Sequence, residues 1–91
     1  MYIVFDTETT GKAKNFSAPI TDFNNWPRMV QIAWKVFDRN GIEIDSQNLI
    51  IKPQGFIIPD DVIKIHRISN ERAKQEGIPL RDALEKFSNA I

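Results

Sequence analysis

The sequence predicts a mixed fold of the α+β or α/β class, in which a three-stranded antiparallel sheet is followed by helices. Two observations support this prediction. The first half of the chain alternates apolar and polar residues with the two-residue period of strands, and it contains the hairpin dipeptide Asn40-Gly41. The second half has apolar residues three and four positions apart, which is the helical period. Strands that precede helices, rather than alternating with them, favour the α+β arrangement.

Three segments are predicted as strands, near residues 2–8, 29–38 and 42–52. The first begins with Tyr2 to Phe5, which are β-branched or aromatic and apolar at every position. This pattern is typical of a central strand that is covered on both faces. In the second strand every other residue from Val30 to Val36 is apolar, which predicts that Trp34 lies in the core.

Three helices are predicted near residues 59–66, 69–76 and 79–91. Pro59 and Pro79 suit helix starts, and Ser69 and Gly77 suit the two ends of the middle helix. In the last helix one apolar stripe continues to Ile91 without a stop signal. We therefore interpret residues 1–91 as the N-terminal part of a single, larger domain.

Composition excludes several classes of protein. The 91 residues suffice for one small domain. Because 12 basic residues balance 12 acidic ones, the chain lacks the net positive charge that is typical of general nucleic-acid binding. The chain has no cysteine and therefore no disulfide or thiolate metal site. No signal peptide is predicted, and no apolar stretch approaches the roughly 18 residues that span a membrane. We interpret the protein as cytoplasmic.

The first strand ends in two carboxylates, Asp6 and Glu8, that are separated by one residue. Because side chains alternate along a strand, both point to the same face, with Cα atoms roughly 6.5 Å apart. Two carboxylates in a partly dry site repel each other unless a cation lies between them, and all-oxygen ligands suit Mg²⁺ or Mn²⁺. A bare Asp-x-Glu is also compatible with a strand that simply ends in a polar turn.

The segment VFDTETTG, Val4 to Gly11, resembles the first motif of the DEDD (DnaQ-like) family of 3′–5′ exonucleases. This family includes the proofreading epsilon subunit of bacterial DNA polymerase III. Three further segments follow in the order that the family shows: WPRMVQIAW, IIKPQGFIIPDDVIKIHRIS and GIPLRDALEKFSNAI. The resemblance covers essentially the whole chain, and its first motif is the specific one.

The resemblance implies a ribonuclease H-like fold that removes nucleotides from DNA or RNA 3′ ends with two Mg²⁺ or Mn²⁺ ions. Asp6 matches the aspartate that bridges both ions, and Glu8 matches the glutamate that binds the catalytic ion. Both are therefore expected to be catalytic residues and metal ligands. The backbone of Thr7 to Thr10 matches the segment against the terminal nucleotide, which makes Thr7, Thr9 and Thr10 expected substrate-binding residues. A polymerase or another replication protein is an expected partner.

The family's other two acids and its general base, a His or a Tyr, belong to later motifs that this chain does not contain. We therefore expect the 91-residue chain alone to be inactive. His66 cannot supply the base, because it precedes those motifs. Related exonucleases carry His-Gly-Ile near the substrate where this chain has His66-Arg67-Ile68, so the local turn is expected to differ.

Several residues have a structural as well as a functional interpretation. His66 is either a nucleotide contact or a helix-end residue, and Asp61 is either a substrate contact or a first-turn acid. Trp26 could stack on a base, but packing over the sheet edge is the favoured interpretation. Three cations flank the first loop and could touch phosphates: Lys12, Lys14 and Arg28.

Three hypotheses remain open at this point. The first is the N-terminal part of a DEDD-type exonuclease. The second is a short non-catalytic module that binds nucleic acid or a partner, or that completes its sheet by self-association. The third is an unrelated divalent-metal enzyme, which the order of the later segments disfavours.

Overall fold

The architecture is a sheet of three strands followed by three short helices, which confirms the predicted fold class. The structure is a computed structural model that describes residues 1–22 and 24–91. The strands are β1 (Tyr2–Thr9), β2 (Met29–Phe37) and β3 (Glu43–Ile50). The helices are α1 (Asp60–His66), α2 (Asn70–Glu76) and α3 (Leu80–Ala90). None of the helices in the described ranges is long and apolar enough to cross a membrane.

The sheet is antiparallel throughout, with strand order β1-β2-β3. Trp34 in β2 lies opposite Phe5 in β1 and opposite Gln47 in β3. The connection from β2 to β3 is the predicted hairpin, in which the Gly41 N–H donates to the carbonyl oxygen of Asp38 at 3.0 Å. Gly41 has a φ of 79°, so it supplies the left-handed residue that this tight turn requires.

Directly opposite residues share a face of the sheet, so the register defines two faces. We call the face that carries Phe5 and Trp34 the helix face, because α3 packs there. The Phe87 ring of α3 lies 5.3 Å from the Phe5 ring and 5.2 Å from the Trp34 ring, between centroids. We call the other face, which carries exposed Val4, Asp6 and Lys35, the open face.

The core consists of two clusters of buried apolar residues. The first lies between the helix face and α3 and contains Ile32, Trp34, Val36, Ile51 and Ala83. The second lies between the end of β2 and the helices α1 and α2 and contains Val30, Ile58, Ile68 and Ala73. Trp34 is 3% exposed, which confirms its predicted place in the core. The second cluster fixes α1 near the end of β1, where the two carboxylates lie.

The helix ends follow the predicted chemistry with one exception. The Ser69 hydroxyl accepts the Arg72 N–H at 3.1 Å, and the Gly77 N–H donates to the Ala73 carbonyl at 2.9 Å, so both caps of α2 are confirmed. At the end of α1 Arg67 adopts a left-handed conformation, with φ 64° and ψ 21°. The turn after His66 thus has the geometry that glycine prefers, although arginine occupies it.

The prediction that β1 is a central strand covered on both faces is wrong for the described chain. β1 is an edge strand that pairs with β2 alone among the described residues, and Tyr2, Val4 and Phe5 are 64%, 63% and 57% exposed. The physical reason is that an apolar sequence shows which environment suits a strand, whereas the covering elements decide its burial. Here α3 contacts the middle of β1 through Phe87, α1 lies near only its last residues, and Val4 and Asp6 on the open face stay exposed.

Candidate functional site

Asp6 and Glu8 project from the same face of β1, because they occupy alternate positions of a regular strand. Asp6 lies opposite Ala33 and Glu8 lies opposite Gln31, both on the open face. Asp6 is exposed and Glu8 is half-buried. The pair therefore lies on one surface, with Asp6 the more exposed of the two.

The end of β1 is held by hydrogen bonds that place these carboxylates. The Asp6 Oδ1 atom accepts the Thr7 N–H at 2.9 Å, which fixes one oxygen of the carboxylate along the strand edge. A bulge between Glu8 and Thr9 shifts the register of the ladder. Beyond it, the Thr10 N–H donates to the Arg28 carbonyl at 2.9 Å, and the Arg28 N–H donates to the Thr10 Oγ1 atom at 2.9 Å. Bulges commonly redirect side chains at the ends of strands in this way.

The chain turns sharply directly after the strand. The Thr9 Oγ1 atom donates to the carbonyl oxygen of Gly11 at 2.9 Å and accepts the Gly11 N–H at 3.3 Å. Gly11 has a φ of 138°, which residues with a side chain rarely adopt. The Thr9 side chain and this glycine therefore shape the rim of a small cavity.

This cavity has a volume of about 220 Å³ and lies between the end of β1 and the end of α1. We call it the Glu8–His66 cavity, because it brings these two side chains together. Its other lining residues are Thr7, Thr9, Gly11, Lys12, Val62 and Ile65. It combines an acid, an imidazole, two hydroxyls and an amine with two aliphatic side chains. Such a mixture of apolar walls and a few convergent polar groups is typical of small-molecule sites.

The His66 ring has a defined orientation. Its Nδ1 atom accepts the Ile68 N–H at 3.1 Å, so in the neutral ring the proton resides on Nε2. The Nε2 atom is buried and has no hydrogen-bond partner among the described residues. A buried donor without a partner costs free energy unless a ligand or water accepts its proton. His66 therefore holds one buried ring nitrogen that has no partner among the described residues, in a side chain that lines the cavity.

Asp6 borders a different concavity, a groove of about 470 Å³ that crosses the open face over all three strands. Its walls include Val4, Ala33 and Asn48. This groove is larger than the Glu8–His66 cavity, and five of its nine lining residues are polar: Asp6, Lys35, Ser46, Gln47 and Asn48. The two carboxylates thus lie on one face and open onto neighbouring concavities.

The donor set fits part of a divalent-metal site. Asp6 and Glu8 offer carboxylate oxygens only, and oxygen is the preferred ligand of Mg²⁺ and Mn²⁺. No group of three or more His, Cys, Asp or Glu side chains that could hold a metal occurs within the described part of the chain. Two carboxylates at alternate strand positions can converge on one ion, but a pair of ions requires further acids.

The other residues predicted from the sequence to contact substrate lie in different surroundings. Lys12 lines the Glu8–His66 cavity, whereas Asp61 is exposed in the first turn of α1. Thr10 uses its amide and hydroxyl groups in the pairing with Arg28 described above. The Trp26 ring is half-buried, and its Nε1–H donates to the Pro19 carbonyl at 2.8 Å.

Two contributions were not foreseen from the sequence. Val62 and Ile65 form an apolar wall of the cavity, and only their spacing of three on α1 could have indicated it. Asn25 is 7% exposed and organises the long loop, since its side chain accepts the Asn15 N–H at 2.7 Å and donates to the Asn15 carbonyl at 2.9 Å. An isolated asparagine in a polar loop carries no signal that distinguishes it from its neighbours.

The chain is similar in structure to known nucleases. It matches exonuclease I with a TM-score of 0.73 and 17% sequence identity, over 96% of this chain and 17% of that one. A complex named ExoI/SSB-Ct gives the same values. Cell-death related nuclease 4 matches with a TM-score of 0.66 and 21% identity, over 96% of this chain and 28% of that one.

These structural matches show the fold. The three-stranded antiparallel sheet and the three helices correspond to the N-terminal part of the exonuclease fold of these neighbours. The chain spans less than a third of the length of each matched structure, at 17% to 28%. No protein-family model and no curated protein matches the sequence.

Proposed function

We propose that this chain is the N-terminal part of a metal-dependent 3′–5′ exonuclease of the DEDD (DnaQ-like) type. The observation that carries the proposal is the position of Asp6 and Glu8, which share one face at the end of β1 beside the Glu8–His66 cavity. The nuclease fold of the structural neighbours supports it independently. The substrate class is a nucleic acid with a 3′ end, either DNA or RNA.

In this proposal Asp6 and Glu8 are catalytic ligands and form half of the metal site. When bound, two Mg²⁺ or Mn²⁺ ions activate the attacking water and stabilise the charge on the leaving 3′ oxygen. Asp6 already has one oxygen engaged with the Thr7 N–H, which leaves its other oxygen for an ion. Glu8 reaches the same region from the margin of the cavity.

The Glu8–His66 cavity then receives the terminal nucleotide. Thr7 and Thr9 provide the strand end against which the sugar lies, and the His66 Nε2–H donates to an acceptor on the nucleotide. Lys12 borders the same cavity and attracts the phosphate by its charge. Thr10 and Asp61 do not line the cavity, so in this arrangement they do not contact the nucleotide directly.

The 91 residues alone are expected to lack activity. Two carboxylates bind one divalent ion weakly, and two ions at catalytic spacing need the acids of later motifs. One neighbour, exonuclease I, is known in the complex named ExoI/SSB-Ct. We propose that the complete protein likewise has a protein partner, such as a polymerase or another replication protein.

The test is Mn²⁺ binding to the isolated chain, followed by paramagnetic broadening of backbone amide signals. We expect weak binding that selectively broadens signals near the end of β1, because the carboxylates of Asp6 and Glu8 converge there. Asp6→Asn and Glu8→Gln should each remove most of the broadening. Asp45→Asn is the matched control, because it removes an exposed carboxylate from the opposite edge strand. Equal broadening in Asp6→Asn and in the unmodified chain would contradict the proposed ligands.

A non-catalytic module that associates with itself is the second candidate. The observation that favours it is the exposed apolar edge of β1. This candidate predicts that Asp6→Asn and Glu8→Gln show the same Mn²⁺ broadening of backbone amide signals as the unmodified chain.

A further inference from the structure

Arg67, directly after α1, has a backbone conformation that residues with a side chain rarely adopt. Its φ is 64° and its ψ is 21°, and every other positive φ among the described residues belongs to a glycine. A side chain in this region strains the backbone, because its Cβ atom crowds the following carbonyl oxygen. Glycine is the usual residue at this position of a helix end, so the arginine requires an explanation.

The turn around Arg67 cannot relax without loss of other contacts. The Arg67 N–H donates to the Ile63 carbonyl at 2.7 Å, which closes the helix. The next N–H, that of Ile68, donates to the His66 Nδ1 atom at 3.1 Å. Ile68 itself is 2% exposed and belongs to the apolar cluster under α1 and α2. The strain is therefore imposed by residues 63–68 themselves and is independent of the rest of the chain.

The fold gives no reason for an arginine in this turn. The Arg67 side chain is exposed, and neither of the ion pairs found within residues 1–22 and 24–91 includes it. The negative end of the α1 dipole is already matched by Lys64 and His66 in the last turn. Strained residues of this kind concentrate at active sites and ligand clamps, where the side chain has a function.

Arg67 lies beside the Glu8–His66 cavity. Ile65 and His66 in the last turn of α1 line this cavity, and Arg67 is the next residue of the chain. Lys12 lines the same cavity from the loop after β1. The acids of α1 lie in its first turn and its basic residues in its last turn. The chain has no net charge, yet the end of α1 beside the cavity is basic.

We propose that Arg67 binds a backbone phosphate of the nucleic-acid strand whose 3′ end occupies the Glu8–His66 cavity. The inference rests on the proposed function, because it takes this cavity as the site of the terminal nucleotide. A guanidinium suits a phosphate, since its planar N–H groups donate two parallel hydrogen bonds to two phosphate oxygens. Contacts of this kind position a strand and do not read its bases.

The arginine then exchanges stability of the fold for affinity toward the strand. In the His-Gly-Ile segment of related exonucleases the glycine has no side chain with which to make this contact. In this chain the same turn carries a cation, at the cost of backbone strain. Relief of the strain and loss of the phosphate contact are therefore expected to have opposite signs in one variant.

The first test is the binding of a short oligothymidylate, labelled with fluorescein at its 5′ end, to the 91-residue chain. Fluorescence anisotropy is measured in EDTA, so that no divalent ion takes part. We expect Arg67→Gln to weaken binding about fivefold to tenfold at low salt, as for loss of one exposed, charged hydrogen bond. The slope of log affinity against log salt should become shallower by about 0.7, the value for one phosphate contact with a single strand.

Arg81→Gln is the matched control, because it removes the same charge from an exposed arginine in α3. It should leave both the affinity and the slope unchanged. Arg67→Lys should retain the slope, since it keeps the charge. An oligoadenylate should show the same loss as the oligothymidylate in Arg67→Gln, because a phosphate contact is independent of the base.

Arg67→Gly separates a role in binding from a role in the fold. Glycine preserves the turn and removes the strain, so this variant should unfold at a higher urea concentration than the unmodified chain. It should nevertheless bind the oligonucleotide as weakly as Arg67→Gln does. An arginine that serves only the fold predicts unchanged binding in Arg67→Gly.

Three results would overturn the proposal: no binding of the oligonucleotide by the unmodified chain, equal losses in Arg67→Gln and Arg81→Gln, or unchanged binding in Arg67→Gly. The metal site is tested separately by Mn²⁺ broadening. If that broadening depends on Asp6 and Glu8 but binding of the oligonucleotide does not depend on Arg67, the proposed function stands and the phosphate contact fails. The converse result would leave Arg67 as a nucleic-acid contact in a chain without the proposed metal ligands.

Discussion

His66 and Glu8 line the same cavity, although they belong to different elements that are far apart in the sequence. Glu8 is placed by the two-residue alternation of β1, and His66 is placed by the last turn of α1. What joins them is the apolar cluster under α1 and α2, with Ile58 and Ile68 at its centre. The packing of these isoleucines is thus what gives an acid and an imidazole a common site.

The two ring nitrogens of His66 have different surroundings, so substitutions that retain one or the other are expected to have opposite effects. Asparagine reproduces the acceptor position of Nδ1, so His66→Asn should retain the bond from the Ile68 N–H but lose the donor in the cavity. Glutamine reaches the position of Nε2, so His66→Gln should keep that donor but lose about 1 kcal/mol of stability. We expect nucleoside monophosphate binding to fall roughly fivefold to tenfold in His66→Asn only. Titration calorimetry and urea unfolding measure the two effects. If the same variant were the weaker one in both nucleotide binding and stability, the orientation of the ring would be contradicted.

Gly77 is required for a close approach and not for an unusual φ. A Cβ atom at this position would lie 2.3 Å from the Ala73 carbonyl oxygen and 2.6 Å from the Lys52 nitrogen, both of them backbone atoms. Gly77→Ala should therefore destabilise the fold by about 2–3 kcal/mol, because α2 and the strand end must move apart. Gly41→Ala is the control; its Cβ would meet open space, so only its φ of 79° costs energy, about 1 kcal/mol. Thermal unfolding measures the loss of stability in both variants. Equal losses would show that the contact at Gly77 relaxes easily.

Arg67 occupies a left-handed conformation that glycine adopts more readily. We expect Arg67→Gly to raise the free energy of unfolding by about 0.5–1 kcal/mol, since removal of the Cβ strain outweighs the added entropy of the unfolded chain. Lys64→Gly, in the interior of the same helix, should instead lower it by about 1 kcal/mol. Urea unfolding of both variants checks the sign. Destabilisation by Arg67→Gly would mean that the arginine side chain makes contacts worth more than the strain.

The strands and helices could be predicted from the sequence, but the contacts around them could not. Strand and helix bounds were accurate to two residues or fewer, because Ser69, Gly77 and Asn40-Gly41 are local signals that act through the backbone. The alternation of β1 placed Asp6 and Glu8 on one face, yet it could not indicate that this face is the open one. The exposure of β1 and the meeting of Glu8 with His66 depend on packing between distant segments, which periodicity does not encode.

The metal hypothesis finally predicts a stability effect that depends on Mg²⁺. Without metal, Asp6 and Glu8 are like charges on one face of β1, and their repulsion weakens the native state slightly. Asp6→Asn should therefore raise the free energy of unfolding by about 0.5 kcal/mol in a chelator, as expected for relief of like charges.

In excess Mg²⁺ the order should reverse, because an ion that binds only the folded chain stabilises it by mass action. The melting temperature of the unmodified chain should rise with Mg²⁺ concentration, and that of Asp6→Asn should not. Asp45→Asn should respond to Mg²⁺ as the unmodified chain does, since its carboxylate lies on the far edge strand. If all three proteins gave the same Mg²⁺ dependence, the ion would act on general surface charge, and Asp6 would have no special role as a ligand.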